Sequence, residues 1–481
     1  MTQEEFFPET LEASAGKKIQ FTVYYGNVAH TPVLGDLEYF INASVGVNEE
    51  GTIVFINKNT TDPITDAINF NPELTKDDIE VVDISNNQNK FFFPGFIDTH
   101  IHASQFPNNG IFGNSTLLDW LENYTFPLES SFKDLKAAND IYNKAINRTL
   151  INGTTTASYY ATIHASGSKL LADIALKKGQ RALVGKVCMN QNSPDHYIET
   201  FDESKESTHE VIDHLNRRDP SHELLMPIIT PRFAGSCTEK LLKWLGDFRA
   251  EHDYHCQTHL AENKKEVEWT KELFPDFNNY TDIYAKTNLL GPKTILAHCI
   301  HLSEEEKDLI SEYGSGVSHC PASNSSITSG EARIRWLLNS GINVALGSDC
   351  SGGFEPSILS VAKHALLVSR HLVMKSEDDD EKLSVNDVLY LATMGGAKVL
   401  RLDDKIGSFA VGKKWDAQLI DLSCEGSPVD TFEFQEPVWG GEDLKLSKRK
   451  YQDLIDKWLF NGDDRNVRSV FVNGRRVLSK N

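Results

Sequence analysis

Four widely separated segments of the 481-residue chain are candidates to bind one metal ion together. Each is a short apolar run that ends in a histidine or an aspartate, which is typical of a buried strand carrying a polar group at its carboxyl end. The segments are F-F-F-P-G-F-I-D-T-H-I-H (91–102), Q-T-H-L-A-E (257–262), T-I-L-A-H-C (294–299) and A-L-G-S-D-C-S-G-G (345–353). Three imidazoles and one carboxylate suit a borderline divalent metal such as zinc, so the pattern predicts a metalloenzyme.

His100 and His102 are the first two predicted ligands. Residues i and i+2 of a strand project from the same face, so both imidazoles would point into the mouth of one barrel. An H-x-H pair alone is weak evidence, because 16 histidines in 481 residues give about half such a pair by chance. The apolar strand pattern before the pair, together with the other three segments, favours a metal site.

His259 is the predicted third ligand, and Glu262 lies just beyond the end of the same strand. A carboxylate beside a metal-activated water would carry protons as a general acid and base. Considered alone, Glu262 is better explained as a glutamate that begins a helix and is stabilised by the helix dipole. Its predicted catalytic role therefore depends on the neighbouring segments.

Asp349 and His298 end runs that are too apolar for surface strands. A buried aspartate is costly unless it is paired or metal-bound, so Asp349 is predicted both to bind the metal and to accept a proton from the water. His298 is predicted to hydrogen-bond the hydroxide or the substrate rather than to bind the metal. His301 and His319 are alternatives, and both are predicted to have supporting or structural roles.

The fold class follows from the centre of the chain, where short apolar runs alternate with longer amphipathic stretches. Eight strands separated by helices imply parallel pairing, because each crossover needs a helix-sized connection. A (β/α)8 TIM barrel is the natural closure, and its chemistry lies where the strands end. The eight strand candidates are F-P-G-F-I-D-T-H, T-T-T-A-S-Y-Y, R-A-L-V-G-K-V-C-M, L-L-M-P-I-I-T-P-R-F, H-C-Q-T-H-L, T-I-L-A-H-C, G-V-S-H-C-P and N-V-A-L-G-S-D.

Both ends of the chain have β character. Residues 19–29 and 79–84 read as strands, and Y-F-I-N-A-S-V-G-V and T-I-V-F-I flank a polar turn as in a hairpin. After residue 403, I-G-S-F-A-V-G-K-K-W-D-A-Q-L-I and V-R-S-V-F-V-N-G-R-R-V-L both look like strand pairs around glycine turns. We therefore predict a composite β-sandwich domain built from residues 1–92 and 403–481, with the metal-dependent barrel at 93–402.

Composition excludes several classes of partner. The formal net charge of −21 argues against binding nucleic acids or anionic membranes. The seven cysteines have no paired spacing, which predicts free thiols in a reducing compartment. We expect no signal peptide and no membrane span, and hence a cytoplasmic protein.

The order H-x-H, H-x-x-E, H and S-D resembles the amidohydrolase superfamily, specifically its mononuclear deaminase branch. Over nearly the whole chain, the sequence is similar to the eukaryotic guanine deaminases. The motifs that carry this resemblance are H-A-S-Q-F-P (102–107), L-L-D-W-L-E-N-Y-T-F-P (117–127), T-P-R-F (230–233), H-C-P-A-S-N (319–324), L-A-T-M-G-G-A (391–397) and G-D-D-R-N (462–466).

The resemblance implies one zinc per chain, held by His100, His102, His259 and Asp349, because no bridging lysine follows the fourth strand. It implies guanine as the substrate, with Gln105 and Arg232 on the polar edge of the purine and Phe233 on its ring. Without the family context, a salt bridge for Arg232 and a loop hydrogen bond for Gln105 would be equally good explanations. The implied substrate-binding set is His102, Ala103, Ser104, Gln105, Arg232, Phe233, His259, Glu262 and Asp349; Cys320 and Asn324 are predicted to shape the mouth, and a homodimer is expected.

The predicted reaction is hydrolysis of guanine to xanthine and ammonia by an aminohydrolase. Asp349 would accept the proton of the water, Glu262 would protonate the ring nitrogen beside the attacked carbon, and His298 would stabilise the tetrahedral adduct. Three alternatives stay open at this point: a relative acting on another heterocycle such as a triazine or methylthioadenosine, a non-catalytic scaffold, and a dinuclear amidase.

Overall fold

The computed structural model describes residues 6–7, 20–435 and 444–480, and for residues 444–447 it describes the backbone alone. In chain order the strands are β1 Phe21–His30, β2 Glu38–Val47, β3 Ile53–Asn57, β4 Ile79–Asp83, β5 Lys90–Pro94, β6 Phe96–His102, β7 Thr154–Tyr160, β8 Arg181–Gly185, β9 Val187–Cys188, β10 Leu225–Pro231, β11 His255–Leu260, β12 Thr294–His298, β13 Gly316–His319, β14 Val344–Leu346, β15 Ala417–Asp421, β16 Val467–Val472 and β17 Arg475–Ser479.

Helices cover the outside of the barrel and lie between its strands. The α-helices are Pro63–Phe70, Leu117–Trp120, Phe126–Ser130, Leu135–Ile151, Ala165–Lys178, Phe201–Arg218, Glu239–His252, Lys264–Leu273, Tyr280–Lys286, Glu304–Tyr313, Pro321–Ser326, Ile334–Asn339, Ile358–Ser376, Val385–Tyr390, Gly396–Val399 and Leu444–Asn461. Two π-helical turns, Leu121–Thr125 and Leu391–Gly395, interrupt helical stretches.

The predicted parallel barrel is confirmed. Its strands are hydrogen-bonded in the order β6-β7-β8-β10-β11-β12-β13-β14, with the short β9 beside β10. The ring is nearly closed between β14 and β6 by backbone bonds just past β14: the Asp349 amide donates to the His100 carbonyl at 2.8 Å, and the His102 amide donates to Cys350 at 3.1 Å. Asp98 strengthens this seam by accepting from the Ser348 amide at 3.0 Å. The last segment of the barrel is thereby fixed against the first.

The predicted composite β domain is also confirmed. Strands from both chain ends form one mixed sheet in the order β17-β16-β15-β5-β1-β2-β3, with β4 parallel to β1. The hairpins β2–β3 and β16–β17 are antiparallel as expected. Residue 19, included in the first predicted strand, lies outside the described residues. The domain limits of 92–93 and 402–403 stay a prediction, and the chain passes from the mixed sheet to the barrel at Gly95, between β5 and β6.

One strand prediction near the carboxyl end was wrong. Residues 406–416 form turns rather than a strand paired with β15. Their hydrogen bonds go instead to the β2–β3 connection: the Ile53 amide donates to Lys413, and the Trp415 amide donates to Gly51. The glycine-rich pattern correctly indicated a turn, but the partner that satisfies its backbone comes from the amino-terminal hairpin.

The composite domain has its own aromatic core. Tyr24 stacks on Trp415 with ring centroids 4.3 Å apart, and Phe92 and Phe471 meet Tyr24 edge-on. These rings come from β1, β5, β16 and the segment before β15, so packing holds both chain ends together.

None of the helices in the described ranges combines the length and apolar character that a membrane crossing needs. All seven cysteines are free thiols, as predicted.

A buried ion pair joins the barrel to the composite domain. Arg181, at the start of β8, donates through Nη2 to both carboxylate oxygens of Asp416, at 3.1 and 3.2 Å. The Asn473 amide, in the β16–β17 turn, donates to the same carboxylate at 2.8 Å. Both charged side chains are almost fully buried, so neither charge has water as an alternative partner.

We predict that Asp416→Asn destabilises the protein by about 3–5 kcal/mol, because it leaves the Arg181 guanidinium as a buried charge without a countercharge. The measurement is the free energy of unfolding from urea denaturation. Asp140→Asn is the control, since it breaks the solvent-exposed pair with Lys144 and should cost less than about 1 kcal/mol. Equal losses in the two variants would contradict the role given to the Arg181–Asp416 pair.

Candidate active site

The predicted site residues converge at the carboxyl ends of the barrel strands. His100 and His102 lie on β6, His259 near the end of β11 and His298 at the end of β12. Asp349 follows β14 by three residues. The backbone of His298 has φ 72° and that of Asp349 has φ 44°, a region that non-glycine residues rarely adopt. Such locally strained turns are frequent at functional sites, where surrounding structure holds them.

The four predicted metal ligands form one compact group. One ligand atom from each of His100, His102, His259 and Asp349 lies within 4.8 Å of the other three. Nε2 of His102 is 3.2 Å from Nε2 of His259, and Oδ1 of Asp349 is 3.1 Å from Nε2 of His100. Four donor atoms this close around a common centre have the number and types that tetrahedral zinc sites use. Among the described residues, this is the single group of its kind.

Hydrogen bonding and burial prepare these imidazoles to bind a cation. Nδ1 of His259 is 2.6 Å from the carbonyl oxygen of Arg232, so it donates there and leaves Nε2 facing the group. Nδ1 of His100 is buried and makes no hydrogen bond to any described residue, and Nε2 faces Oδ1 of Asp349. Burial lowers the pKa of all three ligand histidines, which keeps them neutral and their lone pairs available. The arrangement fits a metal ion.

Asp349 is ionised in this environment. Burial acts to raise the pKa of this carboxyl, but the nearby Nε2 of His100 and the imidazole of His298, whose own pKa is raised, hold it well below its usual range. Its two oxygens face different partners: Oδ1 lies toward the metal-ligand group, and Oδ2 is 3.8 Å from Nε2 of His298. The Asp349 carboxylate therefore contacts the other predicted metal ligands through one oxygen and faces His298 with the other.

Glu262 and His298, the two residues predicted to act beside the metal ligands, lie next to each other. Oε2 of Glu262 is 3.5 Å from Nε2 of His298, and the Ser329 hydroxyl donates to Oε1 at 3.3 Å. Burial raises the pKa of Glu262 to about 7, where a carboxyl group can both give and take a proton near neutral pH. Nδ1 of His298 is 2.8 Å from Oδ1 of Asn324, which orients the imidazole. This contact gives Asn324 a definite role that its sequence motif alone did not specify.

A cavity opens beside the metal-ligand group. Gln105 and Arg232 contribute polar groups away from the predicted metal ligands, and Phe233 and hydrophobic residues of the 117–121 segment contribute apolar surface. Its lining residues are His102, Gln105, Leu117, Leu118, Trp120, Leu121, Arg232, Phe233, His259, Glu262, Glu266, Ile327 and Asp349. A flat molecule with one polar edge matches this distribution of walls.

Other residues considered from the sequence lie outside this lining. Ala103 and Ser104 are buried in the turn after β6, and the Ser104 hydroxyl donates to the Ala161 carbonyl at 3.2 Å. His301 is 2.8 Å from the Ser329 carbonyl through Nε2. His319 and Cys320 are buried at the end of β13 and just beyond it, and burial lowers the pKa of His319 to about 3. Neither His301 nor His319 belongs to the metal-ligand group.

Sequence reasoning missed two buried carboxylates, Asp98 and Glu129. Asp98 accepts from the backbone amides of His100 and Ser348, and burial raises its pKa to about 7. Glu129 pairs with Arg232, with Nη1 2.6 Å from Oε2. The D-T-H-I-H motif contains Asp98, but only the closed barrel brings it to Ser348. Glu129 follows the L-L-D-W-L-E-N-Y-T-F-P string by two residues and looks like a surface helix residue.

Comparison with known proteins agrees with this geometry. The model of the amidohydrolase family matches residues 91–477. A probable guanine deaminase of Schizosaccharomyces pombe is 48% identical over 457 residues, which cover 95% of this chain and 83% of the relative. The guanine deaminase of Dictyostelium discoideum is 43% identical over 456 residues, or 95% of this chain and 98% of the relative.

A solved structure shares the whole architecture. The crystal structure of guanine deaminase from C. acetobutylicum, which has guanine bound in its active site, superposes with a TM-score of 0.82 at 33% identity. The alignment covers 95% of this chain and 100% of that one. The resemblance predicted from the sequence motifs is thus confirmed. The chain belongs to the amidohydrolase family and, within it, groups with the guanine deaminases.

Proposed function

We propose that this protein hydrolyses guanine to xanthine and ammonia. The observation that carries the proposal is the buried group of three histidines and one aspartate beside a cavity with Gln105 and Arg232 on its polar wall. The similarity to guanine deaminases along the chain, including one whose structure contains guanine, supports the same substrate.

We propose that His100, His102, His259 and Asp349 hold one zinc ion per chain. The support is the donor set: three neutral imidazoles and one carboxylate, with no cysteine sulfur among them. When bound, the metal would supply a Lewis acid that lowers the pKa of a water molecule toward neutrality.

The substrate would lie in the cavity with its polar edge against Gln105 and Arg232. Gln105 offers its carbonyl oxygen as an acceptor, and the Arg232 guanidinium is a planar donor that suits a ring carbonyl. The Phe233 ring would pack on the purine. We also assign contacts to His102, His259, Glu262 and Asp349, which line the cavity, and to Ala103 and Ser104 in the turn beside them.

The proton transfers would be carried by three side chains. Asp349 would accept a proton from the attacking water, whose oxygen adds to the amino-bearing carbon between two ring nitrogens. Glu262 would give a proton to the adjacent ring nitrogen, and His298 would stabilise the tetrahedral adduct by hydrogen bonding. Asp349 would then pass its proton to the amino group, which leaves as ammonia, and the proton of the added hydroxyl would return to Glu262, which leaves a carbonyl and gives xanthine.

We propose further that the protein is cytoplasmic and forms a homodimer. The free thiols of all seven cysteines suit a reducing compartment. The dimer is inferred from resemblance to the family alone. The division into a barrel at 93–402 and a β domain at 1–92 and 403–481 belongs to the same proposal.

Purified protein incubated with guanine should release xanthine and ammonia in a one-to-one ratio. Xanthine can be followed by its ultraviolet spectrum, and ammonia by a coupled assay. A chelator should abolish the reaction, and added zinc should restore it, because the activated water depends on the metal. Turnover of a triazine or of methylthioadenosine, with none of guanine, would reject the proposal and favour a related aminohydrolase.

Glu262→Gln should lower kcat by about 10²-fold or more and leave metal content unchanged, because it removes a proton carrier without removing a ligand. Glu306→Gln is a matched control: Glu306 is also buried, but its carboxylate accepts from Thr281 and Ser303 at a helix terminus outside the cavity. Steady-state kinetics and elemental analysis check both variants. Full activity in Glu262→Gln would remove this residue from the mechanism.

A further inference from the structure

The Glu129 carboxylate lies behind the polar wall of the cavity and takes no part in the proton transfers described above. It is fully buried on the helix Phe126–Ser130 and accepts four hydrogen bonds from three side chains. Oε1 accepts from Nε2 of Gln105 at 2.9 Å and from Nη2 of Arg232 at 3.3 Å. Oε2 accepts from Nη1 of Arg232 at 2.6 Å and from the Tyr197 hydroxyl at 2.8 Å. Because an ionised carboxylate only accepts, it determines which atoms of its neighbours face it.

Glu129 sets the orientation of the Gln105 amide. The NH2 group of Gln105 must point to Glu129, so its carbonyl oxygen points the other way, where it lies 3.4 Å from the Ser351 amide. The side that Gln105 turns away from Glu129 therefore presents an acceptor. A glutamine at position 129 would accept either orientation of the Gln105 amide, since its own amide both donates and accepts.

Glu129 also fixes the plane of the Arg232 guanidinium. Two nitrogens of the guanidinium bond the carboxylate, and the Phe126 ring lies 5.1 Å from its central carbon. Phe126 and Glu129 are three residues apart on one helix, so the same helical turn supplies both supports. A bidentate pair holds the fork in one plane, which leaves its remaining N–H groups with fixed directions. The backbone carbonyl of Arg232 accepts from His259, so this residue also contacts a predicted metal ligand.

We propose that Glu129 is a positioning residue for substrate selection: it holds Gln105 as an acceptor and Arg232 as a donor toward the cavity. That pair of groups matches a purine whose edge offers one N–H and one ring carbonyl, as guanine does. It does not match the same purine without the carbonyl oxygen. This inference rests on the proposed function and adds to it the residue that selects the 6-oxo edge.

The test compares guanine with 2-aminopurine, which has the same reacting amino group but lacks both the 6-oxygen and the N–H of the neighbouring ring nitrogen. The measured quantity is kcat/KM for guanine divided by kcat/KM for 2-aminopurine, with ammonia release as the assay. Where 2-aminopurine reacts too slowly, its inhibition of guanine turnover is measured instead. In Glu129→Gln the ratio should fall by about tenfold to a hundredfold, mainly through a higher KM for guanine. Guanine loses its hydrogen bond to the charged Arg232 donor, whereas 2-aminopurine has no 6-oxygen to make that bond in either protein. Asp416→Asn is the matched control, since it breaks another buried arginine–carboxylate pair that is not part of the cavity lining and should leave the ratio unchanged.

An equal loss of kcat/KM for both purines in Glu129→Gln would show a merely structural role and overturn the inference. If Glu129→Gln does not fold, Tyr197→Phe removes one of the four hydrogen bonds and should lower the ratio by about threefold; an unchanged ratio there would overturn it as well. A wild-type protein that makes no xanthine would reject the proposed function, and this inference with it. An active wild type whose ratio none of these variants alters would reject this inference alone.

Discussion

The closure of the barrel between its first and last strands is the constraint on which the site depends. His100 and His102 come from the start of the barrel and Asp349 from its end, and they meet because the Asp349 amide is bonded to the His100 carbonyl. Asp98 fixes the same register by accepting from Ser348. Since successive strand residues point to opposite faces, a slip of one residue would turn both imidazoles away from the carboxylate. The hydrogen bonds that close the barrel between its last and first strands therefore set the geometry of the metal-ligand group.

The electrostatics of the site follow from burying these groups together. Desolvation keeps the ligand imidazoles neutral, while the ionised Asp349 needs a positive partner in a place that water hardly reaches. A divalent cation among these donors would provide that partner. At the polar wall of the cavity the signs are reversed: the buried group is the Arg232 cation, and the Glu129 carboxylate balances its charge. Two charges of opposite sign, the Asp349 carboxylate and the Arg232 guanidinium, line one cavity.

Much of this organisation was predictable from the sequence because it depends on local patterns. Apolar runs ending in His259, His298 or Asp349 identified the strands and the order of the ligands, because a strand can be recognised from residues that are neighbours in the sequence. Glu129 was not predictable, because its partner Arg232 is 103 residues away and nothing near Glu129 distinguishes it from a surface glutamate. The strand prediction for residues 406–416 was wrong for the same reason: the hydrogen-bond partners of this segment come from the other end of the chain.

The proposed chemistry depends on one zinc ion held by three imidazoles and one carboxylate. X-ray absorption spectroscopy at the zinc edge, on protein loaded with one equivalent of zinc, tests it directly. The account predicts a first shell of nitrogen and oxygen only, at about 2.0–2.1 Å, with the signature of three imidazoles. Cys320 and Cys350 are buried and follow His319 and Asp349 in the chain, so the spectrum must distinguish sulfur from nitrogen and oxygen ligands. A zinc–sulfur shell at about 2.3 Å, or fewer than three imidazoles, would contradict the account.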